Sequence, residues 1–157
     1  MKFRSITIAA IAVLTLFLFN SLTYSQPAKR VLLEQFTGAW CGWCPDGTVF
    51  LDSILAKYPD KVIGVKLHYG DAMETAETYL VNSAYAMTAG WPSGAVDRIR
   101  VYDPYSKDSV RCLSRNLWED AVVKELNSEP TVDVHFVYDI DTLSRKIWAT
   151  VSAKFLV

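Results

Sequence analysis

VLLEQFTGAWCGWCP, residues 31–45, places two cysteines between two different hydrophobic patterns. Val31 to Phe36 is an apolar run interrupted by one acid and one amide, which reads as a buried strand. Thr37 to Trp40 is a loop. Beyond Pro45, Leu51, Ile54, Leu55 and Tyr58 recur at i, i+3, i+4 and i+7, one face of a helix. Tyr58-Pro59 ends that helix, because the residue before a proline disfavours helical backbone. Cys41-Gly42-Trp43-Cys44 thus sits where a strand hands over to a helix.

That placement gives the cysteines their chemistry. A helix N-terminus carries free N–H groups and a partial positive charge, so a thiolate there is stabilised. Cys41, at the exposed turn, is expected to attack, and Cys44, one turn in, to resolve the mixed disulfide. Pro45 is tolerated in the first helical turn, where its missing N–H is not needed. Asp46 suits the helix dipole but opposes a nearby thiolate, and the sequence does not weigh the two effects. Two thiols at this spacing also occur in zinc sites, but a closed structural site takes about four ligands. No second such pair exists, and His68 and His135 lie far from the motif in sequence. No metal and no cofactor is expected.

Working outward, Val62 to Leu67 reads as a second buried strand and residues 69–74 as a polar loop. Thr75 to Met87 reads as a helix with Ala76, Leu80, Ala84 and Met87 inward. Gly90-Trp91-Pro92-Ser93-Gly94 is dense turn chemistry. Trp91-Pro92 is a plausible cis site. By itself it reads as an ordinary trans turn; combined with Cys41 and Cys44 it reads as a loop facing the dithiol, with the Trp91 backbone open to a substrate strand. Ala95 to Val101 is a candidate short strand. Val110, Leu113, Leu117, Ala121, Val122 and Leu126 mark a third helix over roughly residues 106–127, with Cys112 near its start as a half-buried structural thiol. Alternating strands and helices imply an α/β fold, a small sheet with helices on its faces.

Residues 129–157 change character. Val132, Val134 and Phe136 alternate, Asp139 to Thr142 looks like a turn, and alternation resumes from Lys146 through Phe155. This reads as a β-hairpin, taken here as the first strands of a β-rich second domain cut short at Val157. The alternative is that both strands extend the first sheet.

The remaining segment is N-terminal. Lys2 and Arg4 precede an apolar run from Ile6 to Phe19, and Thr23-Tyr24-Ser25 offers a cleavage point, so residues 1–25 read as a signal peptide. The run falls short of the roughly 20 residues that span a bilayer; an uncleaved anchor is the competing reading. Export means an oxidising compartment where disulfides persist. The chain has 157 residues, 51% of them hydrophobic, enough for one packed domain over residues 26–128. Without Lys2 and Arg4, the 16 basic residues fall to 14 against 17 acids, a balance of −3. No basic run stands out, so nucleic acid has no electrostatic footprint here.

The string Ala39-Trp40-Cys41-Gly42-Trp43-Cys44, after a strand and some fifty residues before Pro92, resembles the thioredoxin superfamily. The resemblance implies a redox-active dithiol with Cys41 as nucleophile, Cys44 resolving and Pro92 cis. Beside it, Trp91 and Pro92 are candidate substrate contacts, and Trp40 and Trp43, which flank the dithiol, read either as an apolar docking surface for substrate or equally as packing. The longer match, Glu34 to Pro45 with Gly90-Trp91-Pro92 and Asp97-Arg98, is most similar to the Omp-twenty-eight-related bacterial outer membrane proteins, exported chains with a thioredoxin-like domain followed by a β-rich one. Its implications are a periplasmic or outer-membrane thiol–disulfide oxidoreductase whose partners are protein thiols, protein disulfides and a redox partner. The alternative is a non-catalytic binding or structural protein of the outer membrane that keeps the fold. Two positions depart from the thioredoxin pattern. Gln35 stands where a buried aspartate accepts a proton, leaving Glu34 as the candidate acceptor although alternation points it to the other face. Trp43 stands where proline is usual, which leaves reductant versus oxidant open.

Overall fold

The computed structural model describes residues 27–85 and 90–156. The signal-peptide reading and Met87 lie outside the described residues. In chain order the elements are β1 (Val31–Thr37), α1 (Cys44–Lys57), β2 (Val62–His68), α2 (Ala76–Tyr85), β3 (Ser93–Val96), β4 (Val101–Asp103), β5 (Asp108–Val110), β6 (Leu113–Ser114), a 3-10 turn (Arg115–Leu117), α3 (Trp118–Leu126), β7 (Val132–Asp141) and β8 (Lys146–Phe155).

Four strands form the central sheet in the order β2-β1-β3-β6. β1 pairs parallel with β2 and antiparallel with β3, and β3 pairs antiparallel with β6. β1 is interior and covered on both faces, which is why its sequence is nearly continuous in apolar residues. One face carries Val31, Leu33 and Val96 against Leu51 and Ile54 of α1 and Trp118, Ala121 and Val122 of α3. The other carries Phe36, Leu67, Ala95 and Cys112 against Val81 and Tyr85 of α2 and against Trp91. No helix among the described residues is long and apolar enough to cross a membrane.

Several expectations are corrected. The helix expected over 106–127 begins only at Trp118; Val110 and Leu113 belong to β5 and β6, so Cys112 lies between two short strands. Apolar spacing of three and four residues imitates a helix when short strands happen to bury every third side chain. The candidate strand from Ala95 to Val101 stops at Val96, because Asp97 and Arg98 take left-handed backbone conformations, φ 45° and 53°. Their side chains are spent locally: Asp97 accepts the Leu32 N–H and the Lys29 ammonium, and Arg98 reaches Glu34. In α2 the inward side is Val81, Asn82 and Tyr85, while Ala76, Leu80 and Ala84 face outward. Asn82 turns in because its amide donates to the carbonyl of His68 at the end of β2. β2 is an edge strand, with Ile63 and Val65 exposed.

β7 and β8 pair only with each other and do not extend the central sheet. β7 runs to Asp141, which pairs with Lys146, so the reversal falls on residues 142–145 and not on 139–142. The register gives the hairpin one apolar face. Val132, Val134, Phe136, Tyr138 and Ile140 stand opposite Phe155, Ala153, Val151, Ala149 and Ile147 on that face. The other face is mixed: it takes Asp133 with Lys154, His135 with Ser152, Val137 with Thr150, Asp139 with Trp148, and Asp141 with Lys146. Every large side chain of the apolar row is half or more exposed apart from Val132.

The tightest approach in the core is between β3 and α3. A Cβ built on Gly94 would lie 2.5 Å from Cε2 of Trp118, whose ring is fully buried and donates its N–H to the Leu113 carbonyl at 2.9 Å. Gly94→Ala is therefore expected to destabilise the fold by about 1–3 kcal/mol through overpacking, read as a lowered denaturant midpoint with unchanged slope.

Candidate functional site

The cysteines meet at the C-terminal end of β1. Cys41 and Cys44 form a disulfide with S–S 2.09 Å and Cα–Cα 5.4 Å. The Cys41 N–H closes the entering turn on the Gly38 carbonyl at 3.0 Å, and Cys44 opens α1. Cys41 is 8% exposed and Cys44 3%, so the outer sulfur is the one an incoming chain meets first. Around it the surface is open: a Cβ built on Gly42 would touch nothing. On reduction, a thiolate at Cys41 would lie before the first turn of α1, where free N–H groups stabilise an anion.

Gln35, fully buried on β1, donates from Nε2 to the Cys44 carbonyl at 3.2 Å. Its Oε1 has no hydrogen-bond partner among the described residues. Glu34 is corrected as a proton acceptor for the dithiol. It lies on the opposite face of β1, where Arg98 binds both its oxygens from Nε and Nη2 at 2.7 and 2.6 Å. A buried carboxylate held in that fork has its lone pairs and its charge satisfied already.

Trp91-Pro92 is cis. The structure brings Pro92 to the helix that carries the cysteines: a Cβ on Gly47, three residues after Cys44, would lie 2.8 Å from Cγ of Pro92. Among the described residues the Trp91 backbone has no backbone hydrogen-bond partner. Trp40 is half exposed, donates its indole N–H to the Tyr69 carbonyl at 2.7 Å, and meets Trp91 edge-on at 5.4 Å. Trp43 is 68% exposed, with the Arg115 guanidinium 5.7 Å from its ring.

Arg115 and Asp71 were not among the residues singled out from sequence. Arg115 also pairs with Asp46, so the acid in the first turn of α1 is neutralised by a neighbour from the 3-10 turn. Nothing near Arg115 in the sequence marks it, since residues 106–127 read as a helix. Asp71 is a hub. Its Oδ2 accepts the Ala39 N–H and the His68 Nδ1–H, both at 2.7 Å, and its Oδ1 accepts the Met73 N–H. It thereby pins the residue two before Cys41 to the loop after β2. Hydrogen bonding from His68 first, then from Ala39, holds its carboxyl down to about 2. An Asp three residues after a His in a polar loop was the available signal.

Cys112 sits on the α2 face of the sheet, away from the dithiol, with its S–H donating to the Tyr85 carbonyl at 2.7 Å. Burial, then the nearby Glu34 charge, pushes the thiol up to about 11. Among the described residues no three His, Cys, Asp or Glu side chains are grouped to hold a metal ion.

No protein-family model and no curated protein matches the sequence. Solved structures do. HBP35 of Porphyromonas gingivalis is similar at TM-score 0.64 and 18% identity over 83% of this chain and 44% of its own. The chain thus spans less than half the length of that protein. A protein of Agrobacterium tumefaciens matches 75% of this chain and 55% of its own at 19% identity, and its TM-score of 0.46 is too low to argue from. The sheet, its helices and the likeness to HBP35 establish an α/β, thioredoxin-like fold followed by a β-rich segment.

Two outcomes follow. The carboxyl of Asp71 is lower in the folded chain than the ~3.9 of an unfolded one. Its stabilising share is present above pH ~4 and disappears as pH falls towards 2. Asp71→Ala should therefore show a shallower loss of unfolding free energy across that window than the parent, measured by urea titration at each pH. In the reduced protein at pH 7.5, iodoacetamide should modify Cys41 and leave Cys112 intact until the chain unfolds, read by peptide mass mapping.

Proposed function

We propose that this chain is an exported thiol–disulfide oxidoreductase acting on protein disulfides through Cys41 and Cys44. The observation that carries the reading is a disulfide at the start of α1, its outer sulfur beside open surface and its helix packed on Pro92. In the reducing direction, the Cys41 thiolate attacks one sulfur of a substrate disulfide. A Cys41–substrate bond forms and the first substrate thiolate leaves. Cys44, deprotonated, then attacks Cys41; the internal disulfide closes and the second substrate thiolate leaves. Two electrons pass to the substrate, and the reverse sequence oxidises a dithiol. Gln35 cannot take the Cys44 proton, so the proton passes to solvent or to the departing thiolate.

The Asp46–Arg115 pair supports this reading by removing a bare negative charge from the helix start. The apolar leader of residues 1–25 supports export. The string from Glu34 to Pro45 supports placing the chain with the Omp-twenty-eight-related proteins, in the periplasm or at the outer membrane, with protein thiols and a redox partner as its contacts. A second reading is a binding or structural envelope protein with an inert disulfide. The exposed apolar row of β7 and β8 favours it, because a face of that kind needs a covering layer.

The two readings separate by redox titration. Thiol trapping of the chain from Gln26 onward across a glutathione series should give a midpoint between about −120 and −270 mV, and the reduced protein should reduce insulin. Cys41→Ser should abolish turnover, and Cys44→Ser should accumulate a mixed disulfide. A pair still oxidised below about −300 mV, with no insulin reduction, overturns the oxidoreductase reading.

A further inference from the structure

A continuous row of aromatic rings leads away from the dithiol. Trp40 meets Trp91 edge-on at 5.4 Å, Trp91 stacks on Tyr69 at 5.7 Å, and Tyr69 stacks on Tyr79 at 6.1 Å. Trp40 and Tyr79, the two ends, are 53% and 48% exposed, so the row is a surface shelf and not a core. At Tyr79 the shelf continues into a shallow, open depression bounded by Gly70, Asp71, Glu74, Thr75, Tyr79 and Leu80.

The segment that carries Tyr69, Tyr79 and Trp91 is acidic. Between Lys66 and Arg98 the sequence contains no lysine or arginine, while Asp71, Glu74 and Glu77 fall within its first half. Glu77, exposed in the first turn of α2, is held below the usual carboxylate range by its own backbone N–H and then by Thr75. On the other flank of the dithiol Arg115, paired with Asp46, lies over Trp43 and Phe50. Ring faces and carboxylates together attract cations.

We infer that the shelf docks a polypeptide segment carrying lysine or arginine within about five residues of the cysteine presented to Cys41; the three ring steps amount to roughly that length of extended chain at ~3.4 Å per residue. The cysteine sits at the dithiol, the chain runs along the rings, and the cation lies beside the exposed Tyr79 against Glu74 and Glu77. This rests on the oxidoreductase reading and names its substrate class.

The test uses twelve-residue peptides with one cysteine, blocked as a disulfide with thionitrobenzoate, differing only in two Lys, two Gln or two Glu residues four and five positions away. The reduced protein attacks, released chromophore gives the rate, and each rate is divided by that of glutathione on the same peptide. The Lys peptide should react about tenfold faster than the Glu peptide, with the ratio collapsing in 0.5 M salt. Glu77→Lys should erase most of the ratio, and Tyr79→Ala should slow the Lys peptide about threefold more than it slows the Glu peptide. Equal normalised rates for the three peptides, or a ratio indifferent to Glu77→Lys, overturns the docking inference and leaves the oxidoreductase reading standing. Failure to attack any of the peptides overturns both.

Discussion

Gln35 holds the site together. Its amide joins the interior strand β1 to the first turn of α1 through the Cys44 carbonyl, and Gly47 brings Pro92 against the same turn. The dithiol is therefore fixed to the most buried part of the sheet, not suspended on a loop. A side chain of this length fully inside the core must place its polar atoms well. Gln35 places only one of its two, and its Oε1 has no partner among the described residues.

Around that anchor the site is asymmetric. One flank is tied down by Asp71, which accepts backbone N–H groups from both the dithiol loop and the loop after β2, and it carries the ring shelf with its acids. The other flank is built on Arg115, which spans Asp46, Trp43 and Phe50. The opposite face of the sheet is occupied by structural polar groups. Glu34 and Arg98 close the turn after β3, and Cys112 is buried with its proton held on a carbonyl. A carboxylate and a thiol are thus kept from the Cys41–Cys44 pair by lying on the other face of the sheet.

The hairpin β7–β8 obeys a different logic. Its register gathers ten apolar side chains on one face, with only Val137 and Trp148 among the large apolar residues on the other, yet the apolar row meets no layer among the described residues. Two-stranded ribbons are marginal in water without such a layer.

From the amino-acid order alone came β1, α1, the strand-to-helix position of the dithiol and the hairpin, whereas Trp91-Pro92 taken by itself reads as trans and is cis. Each is governed by interactions between near neighbours in the chain: alternation, i to i+4 spacing and proline geometry. The order misjudged what depends on partners far away. Val110 and Leu113 satisfy helical spacing but pair as short strands, Leu80 faces solvent because Asn82 finds a carbonyl on β2, and Arg115 reaches an acid sixty-nine residues distant. Which face a side chain takes is set by the layer packed against it, and that layer exists only once distant segments have met.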